Sequence, residues 1–152
     1  MDDALRKTIL ALLDGHRIMT IATLRPDGWP QATTVGYVNE GMTLWFLCGL
    51  GSQKAANLAH DPRVSITIDH DTPDMMAITG LSMAARAVRV TDRGEAEKVL
   101  RLLPTKYPDA PASTAAMQMP KPDEVAIFRV KPEVISVLDY SKGFGHADLV
   151  AC

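Results

Sequence analysis

Short runs of apolar and β-branched residues follow one another along this chain, and turn sequences rather than long helices separate most of them. The first three read RIMTIATL over residues 17–24, PQATTVGYVN over 30–39 and LWFLC over 44–48. Each has the composition of a strand. Strands that follow one another through tight turns pair antiparallel, so these three predict an antiparallel meander. Strands in succession favour an antiparallel barrel over a doubly wound parallel sheet.

Further strand-like segments extend this pattern through the second half of the chain. Residues Val64–Asp69 and Met76–Thr91 alternate or are rich in β-branched residues. Two more strands, Glu124–Val130 and Val134–Leu138, are predicted on either side of a bend at Lys131-Pro132, because proline keeps its predecessor extended. The glycine-containing tail from Asp139 onward is predicted to be irregular. The total is six or seven strands.

Three short helices are predicted between or before these strands, at residues Asp2–Gly15, Gln53–His60 and Asp92–Leu103. Ser52 and Asp92 are good N-caps, because their side chains can accept a hydrogen bond from the first turn. Pro104 is expected to end the third helix, because proline cannot donate the next backbone hydrogen bond.

The segment Lys106–Asp123 is rich in proline and is predicted to be a long loop. Met117 and Met119 lie within it. Because methionine is flexible and fills irregular gaps, these two side chains are expected to pack back loosely on the domain.

Size and charge exclude several classes of protein. A chain of 152 residues with a net charge of −2 is most simply one domain over residues 1–152, and its interleaved charges predict no nucleic-acid partner. No apolar run approaches the roughly 20 residues of a membrane span, so no membrane partner is expected. Nothing in the placement of Cys48 and Cys152 requires a disulfide, which favours the cytoplasm.

An unusual lysine follows the strand that ends at Cys48. Gly49, Leu50 and Gly51 break the strand, Ser52 caps the next helix, and Lys54 falls in its first turn. A cation is mildly unfavourable there, since the helix dipole is positive at that end and several N–H groups lack partners. Glycines, a hydroxyl group, free N–H groups and a lysine together could hold a phosphate. The alternative is an ordinary solvated lysine on a surface helix.

Other chemical motifs are absent or incomplete. Gly49-Leu50-Gly51 resembles the start of a dinucleotide fingerprint, but Lys54 occupies the third glycine position, and the order of a Walker loop is missing. Asp69-His70-Asp71 could chelate a metal, yet such a polar cluster after a strand is more typical of a solvated turn. No metal site is therefore predicted. His146 in the tail is expected to be an exposed histidine.

The order of these segments, with SQKAANLAHDPRV over residues 52–64, resembles the pyridoxamine 5'-phosphate oxidase-like, FMN-binding split-barrel family. In that family, a segment of the form S/T-x-K-x-x-N-L follows the third strand and holds the flavin phosphate. The resemblance implies an all-β fold, an antiparallel six- to seven-stranded split β-barrel with Greek-key connectivity and short flanking helices. It also implies a homodimer with a flavin at the subunit interface.

The resemblance also assigns residues to the cofactor. Ser52, Gln53 and Lys54 would contact the phosphate, and Lys54 would neutralise it. The strand at Thr33, Thr34 and Val35 would lie along the isoalloxazine edge, with Leu47 and Cys48 beside the ring or the ribityl chain. An arginine that often stands next to the family's lysine is replaced here by Ser52 or Gln53, which implies modest FMN affinity.

These features predict a cytoplasmic FMN-binding oxidoreductase that acts on an unknown small molecule. The family's vitamin B6 oxidases end in an arginine-rich motif with a tryptophan, which the tail SKGFGHADLVAC lacks. Tyr140, Lys142 and His146 are candidates for substrate contacts, but no catalytic acid or base is predicted. One alternative is a split barrel that binds the deazaflavin F420, or haem with His146 as axial ligand. Another is a non-catalytic flavin-binding or stress-related protein.

Overall fold

The computed structural model describes residues 1–109, 121 and 123–152. Most of the predicted loop Lys106–Asp123, including Met117 and Met119, lies outside the described residues. The helices and strands within them are α1 (Asp3–Gly15), β1 (Ile18–Leu24), β2 (Pro30–Gly36), β3 (Val38–Glu40), β4 (Thr43–Gly49), α2 (Gln53–His60), β5 (Arg63–Asp69), β6 (Thr79–Arg89), α3 (Arg93–Lys106), β7 (Val125–Asp139) and β8 (Ala147–Ala151).

All strand pairs in the described residues are antiparallel, and they form one sheet in the order β2-β1-β5-β6-β7-β4-β3. The strand β8 pairs with the second half of β7. The two ends of this order, β2 and β3, are separated in the chain by Tyr37 alone. The sheet must therefore curl until its ends meet. This is the mostly-β, half-barrel architecture expected of a split barrel.

The inner face of the curled sheet holds the main core. Alternate residues of the strands point inward, including Ile21, Phe46, Ile66 and Met83, and are fully or almost fully buried. Helix α1 packs on this inner face through Ile9 and Leu13, both without exposed surface. A smaller cluster lies on the outer face of β4 under α3 and contains Trp45, whose indole Nε1 donates to Glu95 Oε1 at 2.9 Å.

The predicted helices are confirmed, with one correction at the end of α3. Asp2, Ser52 and Asp92 cap their helices by accepting hydrogen bonds from the first turns. Pro104 does not end α3, which continues to Lys106. Proline removes one backbone hydrogen bond, but the Lys106 ammonium donates to the Leu13 carbonyl at 2.6 Å and holds the last turn against α1. No helix among the described residues is long and apolar enough to cross a membrane.

The strand prediction is corrected in the first half of the chain. The segment predicted as one strand over residues 30–39 is two strands, because β2 pairs with β1 whereas β3 pairs with β4. The predicted three-stranded meander is therefore confirmed only as two antiparallel hairpins, since no single strand of this segment pairs with both β1 and β4. The count of six or seven strands becomes eight when β3 and β8 are included.

The second half of the chain differs from the prediction in three places. The strand predicted from Met76 begins only at Thr79, because Met75–Ala77 form a 3-10 turn. The two strands predicted on either side of Lys131-Pro132 are one continuous strand, β7. Glu133 is the extra residue of a β-bulge next to the proline, and β7 stays paired with β6 on both sides of it. Across this bulge Ala84 pairs with Val134, whereas Ala85 pairs with Pro132. The tail predicted to be irregular contains β8, which pairs with the apolar second half of β7.

Candidate functional site

The curled sheet opens between β2 and β4. Strand β3 pairs with β4 as far as Val38 and Trp45, but β2 then diverges and, in the described residues, pairs only with β1. The two strands still approach each other, with Cα atoms within 8 Å at several positions. Each of the two strands then has a free edge on the side that faces the other, and we call this opening between β2 and β4 the split.

The free edge of β2 presents backbone groups to the split. Hydrogen bonds from the N–H of Tyr37 to the Arg17 carbonyl and from the N–H of Arg25 to the Trp29 carbonyl fix the pairing with β1. In an antiparallel ladder, bonded and outward-facing residues alternate. The backbone groups of Thr33 and Val35 therefore bind β1, whereas those of Thr34 and its even-numbered neighbours point into the split. These N–H and C=O groups can bind the polar edge of a flat ligand.

Helix α2 begins at one end of the split, directly after β4. The Ser52 side chain accepts from the N–H of Ala55 at 3.2 Å and so caps the helix. The N–H groups of Gln53 and Lys54 have no backbone partner in the described part of the chain. Two free donors at the positive end of a helix dipole form a local environment that favours an anion.

Lys54 adds a positive charge at this position. Its side chain is half-buried, and burial lowers the pKa of its ammonium, an effect that the nearby Cys48 thiol group partly offsets. Among the described residues no hydrogen bond or ion pair compensates for this burial. A partly buried ammonium without a partner is unfavourable. An anion bound next to Lys54 would remove that cost and raise the pKa.

Asn57 fixes the position of α2 relative to the split. It is fully buried, and its amide nitrogen donates to Thr23 Oγ1 at 2.9 Å and to Gln31 Oε1 at 3.1 Å. Its amide oxygen accepts from Gln53 Nε2 at 2.8 Å. One side chain thus connects α2 to both β1 and β2. The sequence pattern contained this asparagine, but its role was not predicted because its partners are distant in sequence.

Replacing Asn57 by alanine is expected to destabilise the protein by about 1–3 kcal/mol, because Thr23 and Gln31 would lose a buried partner. Urea unfolding followed by circular dichroism would measure this change. The exposed neighbour Ala56 provides the matched control, since Ala56→Ser should change the stability by less than about 0.5 kcal/mol. Equal stability of the Asn57→Ala variant and the parent chain would contradict the role assigned to Asn57.

The structure brings most of the predicted cofactor residues to the split. Thr33 is half-buried, and its Oγ1 is buried without a hydrogen-bond partner in the described residues. Leu47 and Cys48 lie on the free end of β4 but point to opposite faces: Leu47 packs towards α3 and Cys48 towards the main core. Only Cys48 therefore shares a face with Lys54, and Leu47 borders the split through its backbone.

Within this chain, the three predicted substrate contacts lie away from the split. They are Tyr140, Lys142 and His146. They follow the end of β7, whereas the start of β7 pairs with Gly49 at the split. Fifteen residues of strand extend for about 45–50 Å. His146 Nε2 lies 3.2 Å from Asp148 Oδ2, and the exposed Phe144 packs edge-on against Tyr140. Within this chain these residues form a separate cluster.

Comparison with known proteins concerns the fold and the family of this chain. A family model described as pyridoxamine 5'-phosphate oxidase matches residues 5–139. A conserved hypothetical protein from Mycobacterium tuberculosis is 25% identical with a TM-score of 0.76, over 99% of this chain and 93% of its own.

Two more distant structures share the fold. ChuZ from Campylobacter jejuni is 12% identical with a TM-score of 0.80, over 99% of this chain and 61% of its own. HutZ, described as the heme storage protein from Vibrio cholerae, is 21% identical with a TM-score of 0.65, over 84% of this chain and 89% of its own. The family match covers most of the chain, and the observed sheet is the one that the family's split barrel requires. The chain therefore belongs to the pyridoxamine 5'-phosphate oxidase-like family of split-barrel proteins.

Proposed function

We propose that this protein binds FMN in the split and acts as a flavin-dependent oxidoreductase on a small molecule. The observation that carries the proposal is Lys54, a half-buried ammonium group without a partner in the described residues, next to two free N–H groups at the start of α2. A phosphate group satisfies all three at once, because it offers several acceptor oxygens and the opposite charge.

The rest of the split fits the remainder of the cofactor. The outward-facing N–H and C=O groups of β2 around Thr34 match the donors and acceptors along the edge of an isoalloxazine ring. The Thr33 hydroxyl group is buried without a partner in the described residues, so it would have to rotate toward the split to contact the ligand. When bound, FMN would supply the electron or hydride transfer, and the protein would supply binding and orientation.

We further infer that two copies associate through the outer face of the sheet and complete the Greek-key split barrel as a dimer. The strand registers place two rows of small, uncharged side chains across six strands, and described elements of the chain leave these rows uncovered. The rows are Ala32-Ala22-Ser65-Ala84-Val134-Ala151 and Thr34-Thr20-Thr67-Ser82-Ser136-Leu149.

Charged residues lie at the border of these rows and not within them. Arg63 and Arg86 are paired neighbours next to the first row, and Asp69 lies beyond the second. An uncharged centre with a charged rim is typical of an interface. The face includes Thr34, which also borders the split, so a second copy would help to enclose the cofactor. A second copy also offers a way for Tyr140 and His146 to reach a flavin site that their own chain keeps distant.

Haem is the second candidate cofactor, and F420 a third. HutZ, which has the same fold, is described as a heme storage protein. His146 could serve as an axial ligand, since its ring is half-exposed and its Nε2 is held by Asp148. Haem would give Lys54 only a propionate partner.

The absorption spectrum of the protein, as purified and after addition of FMN, tests this proposal. We expect the two flavin bands and quenched flavin fluorescence on binding. Oxidation of a reduced nicotinamide by the loaded protein would support the oxidoreductase role, whereas binding without turnover would support a carrier. An intense Soret band with no flavin binding would favour haem, and no change with either cofactor would refute both.

A further inference from the structure

Two histidines that are distant in sequence meet at the far end of β5. His16 directly follows α1, and His70 directly follows β5. Nε2 of His16 lies 3.2 Å from Nδ1 of His70, and the ring centroids are 5.4 Å apart. The start of β5 follows α2, and seven residues of strand span about 23 Å, so this pair is separate from the α2 end of the split, where Lys54 lies.

The tautomer of His16 follows from its other contact. Its Nδ1 lies 2.8 Å from the Leu12 carbonyl oxygen, and since a carbonyl oxygen only accepts, this nitrogen must carry the proton. In the neutral ring Nε2 then presents a lone pair to His70. A histidine held by a backbone carbonyl at one nitrogen, with a lone pair at the other, has the arrangement usual for a metal ligand.

We propose that His16 and His70 form a two-histidine binding site for a divalent transition-metal ion such as Zn²⁺, Ni²⁺ or Cu²⁺. These ions prefer imidazole nitrogen. With metal–nitrogen bonds of about 2.0–2.1 Å, two ligands of a tetrahedral ion lie about 3.3 Å apart. The observed separation of 3.2 Å between the two nitrogens is close to this value.

Metal binding replaces the hydrogen bond between the two rings. The Nδ1 proton of neutral His70 moves through water to its own Nε2, so the ring stays neutral and its Nδ1 lone pair becomes free for the metal. The His70 ring must turn so that both lone pairs point at the ion, and its exposed position at the end of a strand leaves room for this. The neighbours in sequence carry both signs of charge, since Asp69 and Asp71 flank His70 and Arg17 follows His16.

The described residues supply two ligands and no ready third one, because no group of three or more His, Cys, Asp or Glu side chains is close enough to hold a metal ion. Water molecules would complete the coordination. The ion would connect the C-terminal end of α1 to the end of β5, two elements that are far apart in sequence. Binding should therefore raise the thermal unfolding temperature as well as occupy the histidines.

Titration of the untagged full-length protein with Ni²⁺ tests this proposal, with affinity measured by calorimetry and the imidazole ¹⁵N shifts by NMR. We expect shifts at His16 Nε2 and His70 Nδ1. His70→Gln should lower the affinity about tenfold or more, which is the scale seen when even an outer partner of a metal ligand is lost. It should also abolish the rise in unfolding temperature. The exposed His60 provides the control, since His60→Gln should leave both unchanged.

Some outcomes would overturn the proposal. Equal Ni²⁺ affinity in the parent chain and the His70→Gln variant would do so, as would ¹⁵N shifts confined to His60 or His146. Cys152 is an exposed free thiol, so a Cys152→Ser variant is titrated in parallel. Complete loss of binding in that variant would assign the ion to the thiol instead. Because His70 is exposed, its variant should fold, and the circular dichroism spectrum of each variant checks this.

Discussion

Replacing Lys54 by alanine is expected to weaken FMN binding by about 1.5–3 kcal/mol, the scale of a hydrogen bond to a charged group. This corresponds to about a 10- to 150-fold rise in the dissociation constant. Lys54 is half-buried and has no partner among the described residues. Its replacement removes an uncompensated charge from the free protein. It also removes the cation that neutralises the bound phosphate. Quenching of flavin fluorescence during titration measures the change.

Riboflavin, which lacks the phosphate, separates this contact from a general disturbance of the split. The Lys54→Ala variant should bind riboflavin as the parent chain does. Lys7→Ala is the matched control, because Lys7 is an exposed lysine on α1, away from the split and from the cluster around Tyr140. If Lys54→Ala weakened riboflavin and FMN equally, or left FMN binding unchanged, the phosphate would not lie next to Lys54.

The position of Lys54 could be predicted from the sequence because all of its determinants are local. The glycines after β4, the Ser52 cap and the helix of α2 lie within a dozen residues, and the structure confirms each of them. Strand identity was also local, since β-branched and apolar composition marked β1, β4 and β5 within one residue of their observed ends. Local sequence therefore located the end of the split at which the phosphate is proposed to bind.

Features that depend on distant partners could not be predicted in this way. The division of residues 30–39 at Tyr37 arises because the two halves pair with opposite ends of the sheet, β1 and β4. The tail was predicted to be irregular because its glycines were visible, whereas its pairing with β7 was not. The buried amide of Asn57 and the contact between His16 and His70 likewise join segments separated by 26 or more residues.

Dependence on distant partners also explains why the side-chain directions within one strand were not predicted. Leu47 and Cys48 were both expected beside the flavin because the family resemblance implied it for that segment, but adjacent strand residues point to opposite faces. Since α3 covers the outer face of β4, Leu47 has a packing partner there. Cys48 faces inward on the same side as Lys54. A sequence motif identifies which segment of the chain lies at the site. The pairing of the strands determines which side chains of that segment point toward a ligand.

A Thr67→Arg substitution should convert the proposed dimer into a monomer. Thr67 lies near the centre of the two uncharged rows, with Thr20 and Ser82 as its neighbours on the adjacent strands. In a two-fold interface the substitution occurs twice, and two like charges in an uncharged, desolvated centre cost several kcal/mol. Light scattering after gel filtration should give about 16.5 kDa for the variant and about twice that mass for the parent chain.

The exposed Ala11 on α1 provides the matched control, because it lies on a helix and outside these rows. Ala11→Arg adds the same charge and should keep the mass of the parent chain. If the flavin lies at the interface, Thr67→Arg should also weaken FMN binding while its circular dichroism spectrum stays that of the folded chain. A dimer that survives Thr67→Arg would place the contact on another face. A monomer that binds FMN as tightly as the parent chain would show that one subunit holds the cofactor alone. The free edge of β2 and the start of α2 would then be sufficient for binding.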